Sequence, residues 1–306
     1  MDLVQGTKEL SRPIVGRLSR LHAALLTPYN QEERISDHCL RRMVGFVKRQ
    51  GIDGFYVGGS TGEGLLQSAD ERLAVFSTVA EVAEGGALIG HVGAIGTREA
   101  QALAKGCTAL GYDAVSAIPP IYFPHGKDAI VGYYKDILEA AGGTSLIIYN
   151  IPAMSGVTFS LDDLARLLEL PNVIGIKQTN IDMYQMEQLR RAFPEALLLN
   201  GYDEVLLSGL ASGANGGVGS TYNILGRHYL SLWHALEAGN VRMAQGLQSR
   251  CNEVIDELVR VGVFPGLKYL MYRVGIIDTP VCRRPLATLS ASSCGRLDAI
   301  AQDLGH

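Results

Sequence analysis

Several features are scarce in this chain. Of its 306 residues only five are cysteine (Cys39, Cys107, Cys251, Cys282, Cys294), and no two stand in CxxC spacing. An odd, scattered set offers neither a disulfide framework nor a cysteine zinc site, and it suits reduced thiols in a cytoplasmic protein. Charge of one sign is not in excess: 27 Lys and Arg face 31 Asp and Glu, a net charge of −4. The two signs are interspersed, so no basic stripe for nucleic acid and no polybasic block for a membrane surface is expected. No apolar run approaches the roughly 18 residues of a membrane span, and the N-terminus lacks the apolar stretch of a signal peptide. HExxH and GK[ST] are both missing, so neither a bound metal nor a phosphate-loop cofactor is expected.

Glycine is plentiful. There are 36, against roughly 21 expected at average usage, and they gather at the ends of apolar runs. That placement suits tight turns from strand to helix, where backbone must bend or come close to a ligand. Eight such runs are present, at 22–29, 54–59, 87–94, 112–120, 145–152, 172–179, 196–203 and 214–221. They are apolar without alternation, as parallel strands buried on both faces are. Amphipathic stretches separate them. One starts at Ser36, with Leu40, Met43, Val44 and Val47 on a single face. The next opens with Ser68 and Glu71 in capping-box spacing, with Leu73, Phe76 and Val79 as its apolar stripe, and Thr97 is placed to cap the third. Eight strand–helix units predict a (β/α)8 TIM barrel over residues 20–238. A polar leader, 1–19, precedes it, and a C-terminal helical appendage of about three helices, 239–306, is expected to pack on it.

In such barrels chemistry sits at the C-terminal ends of the strands. Polar residues ending the apolar runs are Thr27, Ser60 and Thr61, His91, Tyr122 just past the fourth run, Tyr149 and Asn150, Lys177 to Thr179, Gly201 to Glu204, and Ser220 with Thr221. Lys177 follows Val173, Ile174, Gly175 and Ile176 inside a strand expected to be buried. Two readings stand: an ion pair with a carboxylate from another strand, or an amine that desolvation keeps neutral and nucleophilic toward a ketone. Tyr149 is either a core tyrosine or a phenol poised for proton transfer. Asp203 and Glu204 suit a helix N-terminus as well as a ligand. The segment Gly58–Gly64 matches G-x-S-x-G at Gly58, Ser60 and Gly62, the elbow of a serine hydrolase, but the later histidines offer no clear triad partner. An anion cradle of hydroxyls and backbone N–H groups is the preferred reading of it.

Taken in order, GSTGE at 59–63, YNIP at 149–152, GIKQT at 175–179, NGYDE at 200–204 and GSTYN at 219–223 resemble the N-acetylneuraminate lyase branch of the dihydrodipicolinate synthase superfamily. The resemblance implies an imine-forming (class I) aldolase that takes a sialic acid, or a related 2-keto sugar acid, apart into pyruvate and an amino sugar. It implies Lys177 as imine nucleophile, Tyr149 as proton acceptor, and Ser60 with Thr61 as hydroxyls that hold the pyruvyl carboxylate and support the proton relay. It further implies Thr179, Gly201, Asp203, Glu204 and Ser220 along the polyol, Tyr122 entering a neighbouring subunit's proton relay, and a homotetramer. Three positions bear on substrate. Met154 stands where condensing synthases of the superfamily place an arginine. Gly64 replaces the alanine expected after GSTGE, and Asn180–Asp182 replaces a segment of small residues.

Overall fold

The computed structural model describes residues 12–287, 289 and 291–304. Residues 1–11 of the expected leader lie outside this range. Residues 12–18, also assigned to the leader, form a helix, α1, with Leu18 buried and the Arg17 guanidinium donating to Asp113 at 2.6 Å.

Eight strands close into a barrel in sequence order. They are β1 (Leu21–Ala24), β2 (Gly54–Val57), β3 (Ala87–His91), β4 (Ala114–Ala117), β5 (Ser145–Asn150), β6 (Val173–Gln178), β7 (Leu197–Asn200) and β8 (Gly216–Gly219). Pairings from β3 through β8 are parallel. Each strand is shorter than the apolar run that signals it, because the last residues of the run leave the ladder and form the loop. The architecture is the expected (β/α)8 barrel.

Helix α2 (Asp37–Arg49) starts after Ser36 and buries Leu40, Met43, Val44 and Val47, with Cys39 beside them. Helix α3 (Ala69–Val82) carries the full capping box: Glu71 N–H donates to Ser68 Oγ, and Ser68 N–H donates to the Glu71 carboxylate. Its buried stripe differs from expectation. Leu73 is only half-buried, and the stripe is Arg72, Val75, Phe76 and Val79. The spacing is helical as expected, but its phase is set by an arginine that a hydrophobicity pattern passes over. Thr97 is likewise not a cap; Gly96 caps α4 (Thr97–Ala109), and Thr97 is its first residue.

Contacts divide the chain into two compact units. One runs through His22 and resumes over Ala87–Val218. It holds β3 to β7 with α4, α5 (Lys127–Ala140), α6 (Pro152–Ser155), α7 (Leu161–Leu168), α8 (Met183–Ala192) and α9 (Leu206–Ala211). The other comprises Ala23–Gly86 and Gly219–His306, with β2, α2 and α3. In it α10 (Tyr222–Glu237), α11 (Val241–Val261), α12 (Val263–Arg273) and α13 (Ala291–Leu304) pack one on the next.

Candidate active site

In the first unit Tyr149 and Lys177 are register partners on β5 and β6. They are 3 % and 4 % exposed, and Lys177 Nζ lies 3.7 Å from the centre of the Tyr149 ring. His91, the last residue of β3, meets the same ring edge-on, with centroids 5.8 Å apart. One position further along each strand stand Asn150, Gln178 and Asn200, register partners in turn and all buried. Side chains alternate along a strand, so lysine and tyrosine share one face and these carboxamides the other. A carboxamide both donates and accepts, so the groups can be chained. Asn150 Nδ2 donates to Gln178 Oε1 at 2.8 Å, Gln178 Nε2 to Gln185 Oε1 at 2.6 Å, and Gln185 Nε2 to the Phe159 carbonyl at 3.1 Å. Asn200 Nδ2 donates to the Tyr202 carbonyl at 2.6 Å. The ends of β5, β6 and β7 are thereby tied to the loops that follow them.

Thr179 and Gly201 continue these strands. Thr179 N–H donates to the Asn150 carbonyl and Gly201 N–H to the Gln178 carbonyl, each at 2.8 Å. The Thr179 hydroxyl is buried and has no hydrogen-bond partner among the described residues, and a Cβ on Gly201 would fall 1.9 Å from its oxygen. Asp203 is buried and Glu204 half-buried, in a single 3-10 turn (Asp203–Val205) that leads into α9. They sit at a helical N-terminus, as one sequence reading has it, without leaving the β7 end. Tyr202, which the motifs do not single out, belongs here too. Burial pushes its phenol pKa up, and the Glu204 carboxylate and the Tyr149 phenol push it further. The departure at Asn180–Asp182 builds the start of α8: Asn180 Oδ1 accepts from Asp182 N–H, and Asp182 caps the helix by accepting from Gln185 N–H at 2.8 Å.

In the second unit the GSTGE segment forms a turn after β2. Ser60 is half-buried and Thr61 buried, and the Thr61 hydroxyl shares a 2.6 Å hydrogen bond with that of Ser220, just past β8. Asn223 holds the Ser220 carbonyl at 2.7 Å and the Ala24 carbonyl at 2.7 Å. Glu63 takes left-handed backbone (φ 57°), and its carboxylate pairs with Lys268 of α12, both side chains fully buried. Gly64 explains its own departure from the expected alanine. A Cβ there would lie 2.0 Å from the Gly58 carbonyl oxygen, so this turn has no room for a methyl group. Ser60 leads into a 3-10 turn (Gly64–Leu66) and not onto a helix, which removes the strand–turn–helix context a hydrolase elbow needs.

Tyr122 follows β4 in the first unit. It has φ 79°, is 86 % exposed, and packs edge-on against exposed Phe123. Met154 is exposed on α6. Among the described residues one trio, His38, Cys39 and Asp278, brings potential metal-ligand atoms within 4.8 Å of one another. The Arg42 guanidinium already donates to Asp278 and, at 3.3 Å, to Cys39 Sγ, so a cation would have to displace it.

The profile of the Dihydrodipicolinate synthetase family matches residues 17–304, and the chain belongs to that family. It is 47 % identical to the N-acetylneuraminate lyase of Salmonella agona (strain SL483), over 94 % of this chain and 97 % of that one. Its fold is similar to that of the wild-type sialic acid aldolase of Ruminococcus gnavus (TM-score 0.90, 31 % identity, covering 94 % of this chain and 98 % of that one). It is also similar to Fusobacterium nucleatum N-acetylneuraminate lyase in complex with pyruvate (TM-score 0.88, 33 % identity, 94 % and 98 %).

Proposed function

We propose that this chain is a class I aldolase that reversibly cleaves N-acetylneuraminate to pyruvate and N-acetylmannosamine. The observation that carries the reading is the Lys177 amine, enclosed within a barrel strand and held 3.7 Å from the Tyr149 ring. The relatives described above support the substrate. In the proposed cycle Lys177 Nζ adds to the C2 ketone and loses water to give a protonated imine. The face of an aromatic ring attracts a cation, so Tyr149 beneath the nitrogen favours that charged state. Tyr149 also accepts the C4 hydroxyl proton as the C3–C4 bond breaks, its own phenolic proton passing into the hydroxyl relay that later protonates C3. The electron pair enters an enamine, which is protonated at C3, and hydrolysis releases pyruvate. No cofactor is required.

Ser60 and Thr61 hold the pyruvyl carboxylate. Thr179, Gly201, Asp203, Glu204 and Ser220 take the polyol, whose hydroxyls donate to carboxylates and exchange hydrogen bonds with hydroxyls. Tyr122 completes the proton relay of a second copy, in a homotetramer. The five cysteines are all free, which suits the reducing cytoplasm, and among the described residues no helix is long and apolar enough to cross a membrane.

Gly64 and Asn180–Asp182 favour a second reading, the same chemistry on another 2-keto-3-deoxy sugar acid; kcat/KM on the two substrates separates them. Met154 in place of an arginine disfavours condensation in the manner of dihydrodipicolinate synthase. Borohydride reduction in the presence of pyruvate, followed by peptide mass mapping, tests the core of the proposal. The adduct is expected on Lys177, and Lys177→Ala should trap no pyruvate and lose lyase activity. An adduct elsewhere, or none with active enzyme, overturns it.

A further inference from the structure

Glu63 closes the GSTGE segment but is fully buried, pointing away from solvent and into a cluster built by the C-terminal part of the chain. One carboxylate oxygen pairs with Lys268 Nζ; the other accepts from Arg283 N–H at 2.8 Å. Lys268 Nζ also donates to the Val281 carbonyl at 2.9 Å and lies 4.1 Å from the Tyr29 ring centre. Arg283 lies over the same ring, forks onto Glu71 with two 2.8 Å bonds, and donates to the Leu66 carbonyl at 3.0 Å. Gln67 Nε2 bonds both Tyr29 Oη and the Gly62 carbonyl at 2.8 Å. Every residue from Gly62 to Leu66 except Gly64 and Leu65 is thus gripped, and Gly64 N–H donates to the Gly59 carbonyl at 3.1 Å.

A buried ion pair is a poor device for stability, because desolvation offsets much of its Coulomb gain. It is a good device for fixing position, since each partner has one arrangement that satisfies it. We infer that Lys268, with Arg283, is a positioning residue for the Ser60–Thr61 hydroxyls, and that the C-terminal helices therefore set the affinity for the pyruvyl carboxylate. The inference rests on the reading that Ser60 and Thr61 hold that group. The reason is leverage: Thr61 is two residues from the anchored Glu63, and a displacement of about 1 Å at a binding group can cost on the order of 100-fold.

The test measures pyruvate affinity by the concentration dependence of borohydride trapping, alongside Tm. Lys268→Met should weaken pyruvate by roughly 10- to 100-fold while kcat at saturation stays within about threefold. It should also lower Tm, because it strands Glu63. The double variant Glu63→Leu/Lys268→Met removes the stranded charge and should regain most of that Tm, yet bind pyruvate as weakly as the single variant. Restored affinity in the double variant, or unchanged affinity in Lys268→Met, would overturn the inference. Thr61→Val separates the two levels. If it leaves pyruvate affinity unchanged, the carboxylate reading beneath has failed. If it weakens affinity and Lys268→Met does not, only the positioning role falls.

Discussion

A lysine inside a barrel strand must justify the cost of leaving water, and at Lys177 part of the compensation is an aromatic face across the strand pair. Around it the residues divide by what they touch. Asp203 belongs to the end of β7, beyond Asn200, so its removal should affect the long substrate and spare pyruvate. Losing a hydrogen bond to a charged group typically costs about 1.5–3 kcal/mol. Asp203→Ala should accordingly reduce kcat/KM for N-acetylneuraminate by roughly 10- to 100-fold while trapping of pyruvate on Lys177 stays within about twofold. Equal loss of both would reassign the residue. Gly201 makes a steric case. Its hydrogen faces the Thr179 oxygen, and overpacking of this kind costs about 1–3 kcal/mol. Gly201→Ala should melt lower than the parent, and Gly201→Ala/Thr179→Ala should recover part of the difference in a thermal scan, since the Cβ of residue 179 would still lie 2.8 Å away.

Among the elements, α2 is tied to the segment after α12 through Asp278, which accepts from Arg42 and, at 2.6 Å, from His38. Those two bonds, Arg42 first, hold the Asp278 pKa down at about 2. An unfolded aspartate titrates near 3.9. A depressed carboxyl contributes stability that is complete above the unfolded value and disappears as pH falls through the folded one. Asp278→Asn should therefore flatten the fall of Tm between about pH 4 and pH 2 and lie closer to the parent at the bottom of that window; identical slopes would refute the assignment. The elements were largely legible in the residues. Eight unalternating apolar runs and the Ser68–Glu71 pair suffice for strand count and one helix start, because burial on both faces and capping leave local signatures. The phase of α3 was hidden because Arg72 is buried for tertiary reasons. Lys177 and Tyr149 could be found as polar residues ending apolar runs. Tyr202 falls in the Gly201–Glu204 stretch that ends the seventh run, but nothing in the spacing marks it out, since the shift of its phenol comes from burial and from Glu204 and Tyr149 beside it. Lys268 left only a faint trace, a lysine between the buried Leu267 and Leu270, and its partner lies 205 positions earlier in the chain.

For the whole molecule, the proposed assembly makes a prediction that a lone chain does not. If Tyr122 serves a second copy, Tyr122→Phe and Lys177→Ala should each be nearly inactive. Mixing them under subunit exchange should then restore activity, because hybrid pairs place an intact lysine beside an intact phenol. No recovery after confirmed exchange would mean that Tyr122 acts within its own chain or not at all.

The left-handed backbone that thrusts Tyr122 into solvent carries a further consequence for handling the enzyme. If that phenol is donated across an interface as proposed, turnover is tied to association, and dilution below the dissociation constant of that contact would make the rate climb faster than linearly with protein. An assay run at nanomolar and at micromolar enzyme would then report two different specific activities for one and the same preparation.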